Sequence, residues 1–267
     1  MAAEKRPEPV RERITFLKVP IDTVPPDEFP EVICSQLNGE PFPTASNDAD
    51  KMAQGKNIIL LSLWDMLRAR RNNAYREYIL RSFLVIPISK SIIRGASFLK
   101  HNPPVRYMPF HFIINLLSVL ESREYTLYLL GGDDRILRRV ENNIHQTFPR
   151  LRIVGRHNAS IGKKEEAVII EAIRKTAPHL ILVGRGVRGG EMWIARNHQR
   201  LGNGLRLWCS DIFDIFAEKR SRPSEGLFNI GFEALFYTIK NPLKFFRIIP
   251  YFRYKLLLLI YKISGRK

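Results

Sequence analysis

Two glycine-bearing segments of this 267-residue chain have the residues needed to hold a phosphate group. In "YTLYLLGGDD" an apolar run ends at Gly131 and Gly132, and "LILVGRGVRGGE" contains Gly184 and Gly186 and ends at Glu191. Glycine lets the backbone approach a phosphate closely, and the free amides at the start of a following helix favour its charge. Neither segment has the spacing of a dinucleotide fingerprint or a P-loop, so a plain strand-to-helix turn is the alternative.

The elements that would position these segments alternate along the chain. From residue 124 onward, apolar strand-like runs are each followed by an amphipathic helix. Strands this apolar are typical of a mainly parallel sheet covered on both faces. The pattern therefore predicts a doubly wound α/β domain, in which ligands bind at the carboxyl ends of the strands.

The first part of the chain follows the same alternation. The pattern predicts a strand over 14–19, a helix over 26–37, a strand over 57–61 and a helix over 64–81. On the last of these, we expect an exposed basic face made of Arg68, Arg70, Arg71 and Arg76.

The charge of the chain is strongly positive and unevenly placed. Lys and Arg number 43 against 26 Asp and Glu, giving a formal charge of +17. From Lys219 to the end there are eleven basic and two acidic residues, so this stretch carries +9 of the total. Such a balance predicts a polyanionic partner: nucleic acid, an anionic membrane or a phosphorylated substrate. Because no nucleic-acid-binding module is evident, we expect no specific nucleic-acid partner.

The C-terminal stretch "NPLKFFRIIPYFRYKLLLLIYKISGRK" mixes aromatic and aliphatic residues with spread Lys and Arg. Its run from Leu256 to Tyr261 is far shorter than the roughly 20 apolar residues that a membrane span requires. The pattern predicts a helix, kinked at Pro250, that lies on an anionic membrane surface. The alternative is a hairpin packed on the sheet domain or in a dimer interface.

Composition and boundaries complete the outline. Cys34 and Cys209 lie far apart and without a neighbouring ligand at zinc-site spacing, so we expect neither a disulfide nor a metal. The charged N-terminus has no apolar signal-peptide core, which indicates a cytoplasmic protein. We expect a disordered N-terminus over residues 1–13, an α/β domain over 14–220 and basic, membrane-associating helices over 221–267.

Several segments in order resemble a known family. They are "FLKVPID", "LRARRN", "LYLLGGDDRILRRVENNIHQTFPRLRIVGRH", "ILVGRG", "EMWIARN", "FDIFA" and "GFEALFYTIKNPLKFFR". Together they are similar to the WecG/TagA/CpsF glycosyltransferases. This resemblance implies transfer of an N-acetylmannosamine-type sugar from a UDP-sugar to a lipid-linked acceptor, without a metal or other cofactor.

The resemblance also implies roles for individual residues. It places a set of matching positions near the nucleotide: Gly131, Gly132, Gly184, Gly186 and Glu191. Asp214 of "FDIFA" matches an aspartate of the family pattern, and its alternative role is charge or packing at a helix start.

Other positions depart from the family pattern. An inverting transfer needs a general base, typically a carboxylate. The family's candidate aspartate lies in a Pro-Asp-Gly motif, which here is Pro87-Ile88-Ser89. Polar family positions are likewise replaced at Leu60 and Phe110. The remaining candidate bases are His111, His157 and Asp211; hydrogen-bonded structural histidines and a helix N-cap are the alternatives.

The expected function is therefore a hexosyltransferase of cell-surface polysaccharide biosynthesis at the inner face of the cell membrane. Its expected partners are a UDP-sugar donor, a polyprenyl-diphosphate-linked acceptor and the anionic membrane, with self-association left open. The alternative is a family member that keeps the fold but has lost turnover, and that acts as a nucleotide-sugar or glycolipid-binding scaffold. A membrane-associated scaffold for an enzyme partner is a third possibility.

Overall fold

The computed structural model describes residues 11–40, 55–210, 212–219, 226 and 249–265. The strands are β1 (Glu12–Phe16), β2 (Val19–Thr23), β3 (Asn57–Leu61), β4 (Leu84–Pro87), β5 (Thr126–Leu130), β6 (Arg152–His157), β7 (Leu180–Gly184) and β8 (Leu205–Ser210). The helices are α1 (Phe29–Asn38), α2 (Leu63–Ala69), α3 (Asn73–Leu80), α4 (Lys90–Phe98), α5 (Pro109–Ser122), α6 (Asp134–Thr147), α7 (Lys163–Thr176), α8 (Glu191–Asn197), α9 (Ile212–Phe216) and α10 (Ile249–Ile263).

The six strands β3 to β8 form one sheet in the order β4-β3-β8-β7-β5-β6, and every neighbouring pair is parallel. All six carboxyl ends therefore lie at one edge of the sheet. Helices cover both faces, which confirms the predicted doubly wound α/β class.

Successive residues of each strand point to opposite faces, so the sheet has two separate cores. In β7, Leu182 belongs to the core that includes residues of α1, α5, α6 and α9. Its neighbours Ile181 and Val183 belong to the core of the other face, with α2, α3, α4, α7, α8 and α10. Because α9 lies on one face and α2 and α8 on the other, the chain leaves β8 in the opposite direction from its neighbours β3 and β7. A crevice at the carboxyl edge follows from this topology.

The N-terminal strand predicted over 14–19 is instead a two-stranded hairpin, β1 and β2. Its turn residues Leu17 and Lys18 have φ of 51° and 68°, values that Gly and Asn adopt more readily than other residues. Buried side chains fix the hairpin beside β4: Arg13 donates to Asp22 at 2.7 Å, and the Val85 amide donates to Asp22 at 2.6 Å. Tertiary contacts therefore override the weak turn signal.

The helix predicted over 64–81 is divided into α2 and α3. The Asn72 side chain accepts from the Tyr75 amide at 2.9 Å and begins α3, which ends the longer periodicity. The predicted exposed basic face is also changed, because Arg70 donates to the Leu17 carbonyl at 2.8 Å and to the Tyr261 hydroxyl at 3.0 Å. Arg70 thus joins the hairpin and the C-terminal helix.

The C-terminal helix α10 packs on the sheet domain along one side. Tyr254, Leu258 and Tyr261 are buried, and the Tyr254 hydroxyl donates to the Ser91 carbonyl at 2.8 Å. Pro250 lies in the first turn of α10, where proline is tolerated, and the kink expected there stays a prediction. The predicted tail before Ile249 lies outside the described residues.

Candidate functional site

The two glycine segments meet at the carboxyl edge of the sheet. A Cβ on Gly131 would lie 2.8–2.9 Å from backbone atoms of Gly184, so the two turns touch. The Gly132 amide donates to the Arg185 carbonyl at 2.7 Å, and the Gly131 amide donates to the His157 carbonyl at 2.9 Å. These backbone bonds join the loops after β5, β6 and β7 into one unit.

Individual glycines have different surroundings in this unit. Gly184 is buried, and a Cβ there would lie 2.6–2.9 Å from the ring of Phe213. Gly186 is exposed and has φ of 96°. The amides of Gly131 and Gly132 already have protein acceptors, so their main structural effect is to join the loops. Most of the segment 185–190 is open to solvent, with Arg185 and Arg188 exposed, whereas Val187 is buried.

Asp214 is joined to this exposed segment. Arg185 Nη1 donates to Asp214 Oδ2 at 3.2 Å, with the Arg185 side chain 64% exposed and the Asp214 side chain 13% exposed. The contact runs from the loop after β7 to the first turn of α9. The structure thus brings together Asp214 and the glycine segment, which are far apart in sequence.

Glu191 is joined to the opposite side of the crevice. Its carboxylate accepts from Arg68 of α2, whose guanidinium also lies over the ring of Tyr75 with 4.0 Å from Cζ to the centroid. The Glu191 side chain is 16% exposed and that of Arg68 is 44% exposed. Arg68 is separated from Glu191 by 123 residues in sequence, so local spacing carries no signal for this pair.

A further carboxylate, Asp65, lies behind this ion pair. Its Oδ2 accepts from Ser62 Oγ at 2.5 Å and from the Ser62 amide at 3.0 Å, and its Oδ1 accepts from the Tyr75 hydroxyl at 3.3 Å. Burial raises the pKa of Asp65, the bonds from Ser62 lower it, and the charge of Glu191 raises it. These bonds form a capping box at the start of α2, which is a structural role.

Positions that depart from the family pattern lie at the same edge or in the adjacent core. The Ile88 amide donates to the Leu61 carbonyl at 3.0 Å, and the Ile88 carbonyl accepts from Arg106 Nε at 2.8 Å. Phe110 is buried and packs on Phe216 of α9, with 5.3 Å between ring centroids. The phenyl ring at position 110 therefore belongs to the core.

The other candidate bases have separate places. His111 is exposed in the first turn of α5, and His157 is half-buried, with its Nδ1 2.8 Å from the Asn158 carbonyl. Asp211 lies outside the described residues. Among the residues that the structure describes, no three His, Cys, Asp or Glu side chains are grouped in a way that could hold a metal ion.

The fold and the joined loops define a doubly wound α/β protein, a class in which ligands bind at the carboxyl edge of the sheet. The model of the WecG/TagA/CpsF glycosyl transferase family matches residues 14–267, nearly the whole chain. The chain therefore belongs to this family, as the ordered motifs predicted. No individual protein of curated function shows significant similarity to it.

Sequence reasoning found one member of each ion pair at the site and missed the other. Glu191 and Asp214 were found through their motifs, whereas Arg68 was assigned to a solvated basic face. A weak signal was present, because Asp65, Arg68 and Tyr75 are separated by three and seven residues, the spacing that places side chains on one side of a helix.

Proposed function

We propose that this protein transfers an N-acetylmannosamine-type sugar from a UDP-sugar to a polyprenyl-diphosphate-linked acceptor during cell-surface polysaccharide synthesis. The observation that carries the proposal is the exposed loop 185–190 of a family glycosyltransferase, positioned at the crevice by its contacts with Gly131 and Gly132. Arg185 and Arg188 supply charge for a diphosphate, and Gly186 leaves the backbone accessible. Gly184 and Gly131 support this loop by close packing.

A direct titration tests the donor. Calorimetry with UDP and with UDP-N-acetylmannosamine should give binding that weakens steeply with salt, because the diphosphate contacts are electrostatic. Arg188→Ala should weaken the binding of UDP. Arg200→Ala, an exposed arginine beyond the end of α8, is the matched control and should leave it unchanged. Absence of UDP binding to the natural chain would remove the proposal.

The acceptor side of the proposal rests on α10. Exposed apolar residues recur on its outward side at intervals of four, three and four residues: Phe252, Leu256, Leu259 and Ile263. Exposed Arg253, Lys255 and Lys262 lie beside them. Two copies packed through this side would bring these cations together, so the charges favour an anionic lipid surface as the partner.

The direction of α10 relates this surface to the crevice. Tyr254 contacts the first turn of α4 through Ser91, and Lys262 Nζ donates to the Phe98 carbonyl at the last turn of α4, at 2.7 Å. The N-terminal end of α10 therefore points toward the carboxyl edge. None of the helices in the described part of the chain has the length and apolarity to cross a bilayer. We infer a peripheral position at the cytoplasmic face, where a lipid-linked acceptor would reach the crevice.

Vesicle sedimentation tests this position. We expect binding to vesicles that contain phosphatidylglycerol and much weaker binding to pure phosphatidylcholine, since each Lys or Arg near an anionic surface contributes about 1 kcal/mol. Phe252→Ser with Leu256→Ser should abolish the binding. Val168→Ser, which removes an equally exposed apolar side chain from α7, is the control. Concentration-dependent self-association that the double variant abolishes, without vesicle binding, would instead assign the surface to a second copy.

A second candidate is a family member without turnover, which would act as a nucleotide-sugar or glycolipid-binding scaffold. The observation that favours it is Ile88, which cannot accept a proton, together with the burial of Phe110 in the core. A transfer assay with lipid-linked acceptors separates the two candidates. Turnover by the natural chain supports the transferase. UDP binding without turnover, with activity appearing in Ile88→Asp, supports the scaffold.

A further inference from the structure

We propose that Arg68 binds the diphosphate of the donor and that Glu191 is its positioning residue. This inference rests on the proposed function and changes the expected role of Glu191, which the family resemblance placed near the nucleotide.

The Glu191 carboxylate is poorly suited to contact a diphosphate itself. It is mostly buried and already accepts a hydrogen bond from Arg68. The negative charge of Glu191 also contributes to the raised pKa of Asp65 and of Tyr75. A diphosphate placed directly against this carboxylate would be repelled, because like charges at close range are unfavourable.

Arg68 has the complementary properties. The guanidinium of Arg68 donates to the Glu191 carboxylate and lies over the ring of Tyr75. The Arg68 side chain nevertheless remains 44% exposed to solvent. A guanidinium has five N–H donors in a rigid fork, so one carboxylate leaves donors for a second anion. An arginine that is oriented in advance loses less conformational freedom when it binds phosphate oxygens.

The same arrangement recurs on the other side of the loop. Arg185 is exposed and pairs with the mostly buried Asp214, and Arg185 and Glu191 are the two ends of a seven-residue segment. The ion pair of Glu191 reaches α2 and the ion pair of Arg185 reaches α9, and these two helices lie on opposite faces of the sheet. Two guanidinium groups, each paired with a mostly buried carboxylate, therefore flank the exposed loop, and each has N–H donors of the kind that bind phosphate oxygens.

Titrations of UDP and of uridine test this inference, because uridine lacks the phosphates. Arg68→Gln should weaken UDP binding by about 10- to 100-fold, the range for a lost charge-assisted hydrogen bond, and leave uridine binding unchanged. Arg71→Gln removes the same charge from an exposed arginine nearby and should change UDP binding little. Equal losses for UDP and uridine, or equal effects of the two substitutions, would overturn the role of Arg68.

The sign of the effect of Glu191→Gln tests the positioning role. Loss of orientation should weaken UDP binding several-fold and leave uridine unaffected. If Glu191 acted only through its negative charge, Glu191→Gln would tighten UDP binding, and that result would overturn the inference. A natural chain that binds neither UDP nor uridine would contradict the proposed function itself, whereas normal UDP binding by Arg68→Gln would contradict only this inference.

Discussion

Gly131→Ala tests the contact between the two glycine turns on which the site is built. Gly131 has φ of 128°, and an added Cβ would lie 2.8–2.9 Å from three backbone atoms of Gly184. Backbone atoms cannot rotate away as a side chain does. We expect strain of about 1–3 kcal/mol from the conformation and a further cost of about 1–3 kcal/mol from overpacking. The expected loss in the free energy of unfolding is therefore about 2–6 kcal/mol.

Urea denaturation gives the measurement, with Gly202→Ala as the control. Gly202 also has a positive φ, 77°, but an added Cβ would meet nothing within 4 Å. That variant should lose only about 1–2 kcal/mol, the cost of a left-handed alanine. The excess loss for Gly131→Ala combines the contact with any additional strain at its larger φ. If Gly131→Ala were no more destabilising than Gly202→Ala, the two turns would not touch and the joined-loop site would be wrong.

Three other perturbations test the surrounding structure. Asp22→Ala should destabilise the protein by about 3–5 kcal/mol in urea denaturation, because it removes the carboxylate that balances the charge of the buried Arg13 guanidinium. Gly95→Ala would place a Cβ against the Tyr254 hydroxyl, so hydrogen exchange over α10 should accelerate, and adding Tyr254→Phe should restore part of the protection. Burial lowers the pKa of His179, so the unfolded chain binds more protons and stability should fall as pH drops through about 6.5; His179→Asn should lose this dependence.

Much of the fold could be predicted from local pattern. Four of the six parallel strands are almost entirely apolar, and each is followed by a segment of helical spacing, so both the class and the expected ligand-binding edge follow from the sequence. The hairpin turn at Leu17 and Lys18 could not be predicted, since neither residue is a usual turn former. Its conformation depends on a buried ion pair and on Arg70, which lies 53 residues from Leu17.

The same distinction between local pattern and tertiary contacts applies to the candidate site. By itself the sequence determined the family and the two glycine segments, because these are short motifs in a fixed order, and the resemblance made Glu191 and Asp214 site candidates. Only the tertiary structure decided which glycines pack against each other and which arginine meets which carboxylate. The physical reason is that a parallel sheet places side by side the ends of strands that are distant in sequence, and local spacing does not record which side chains meet there.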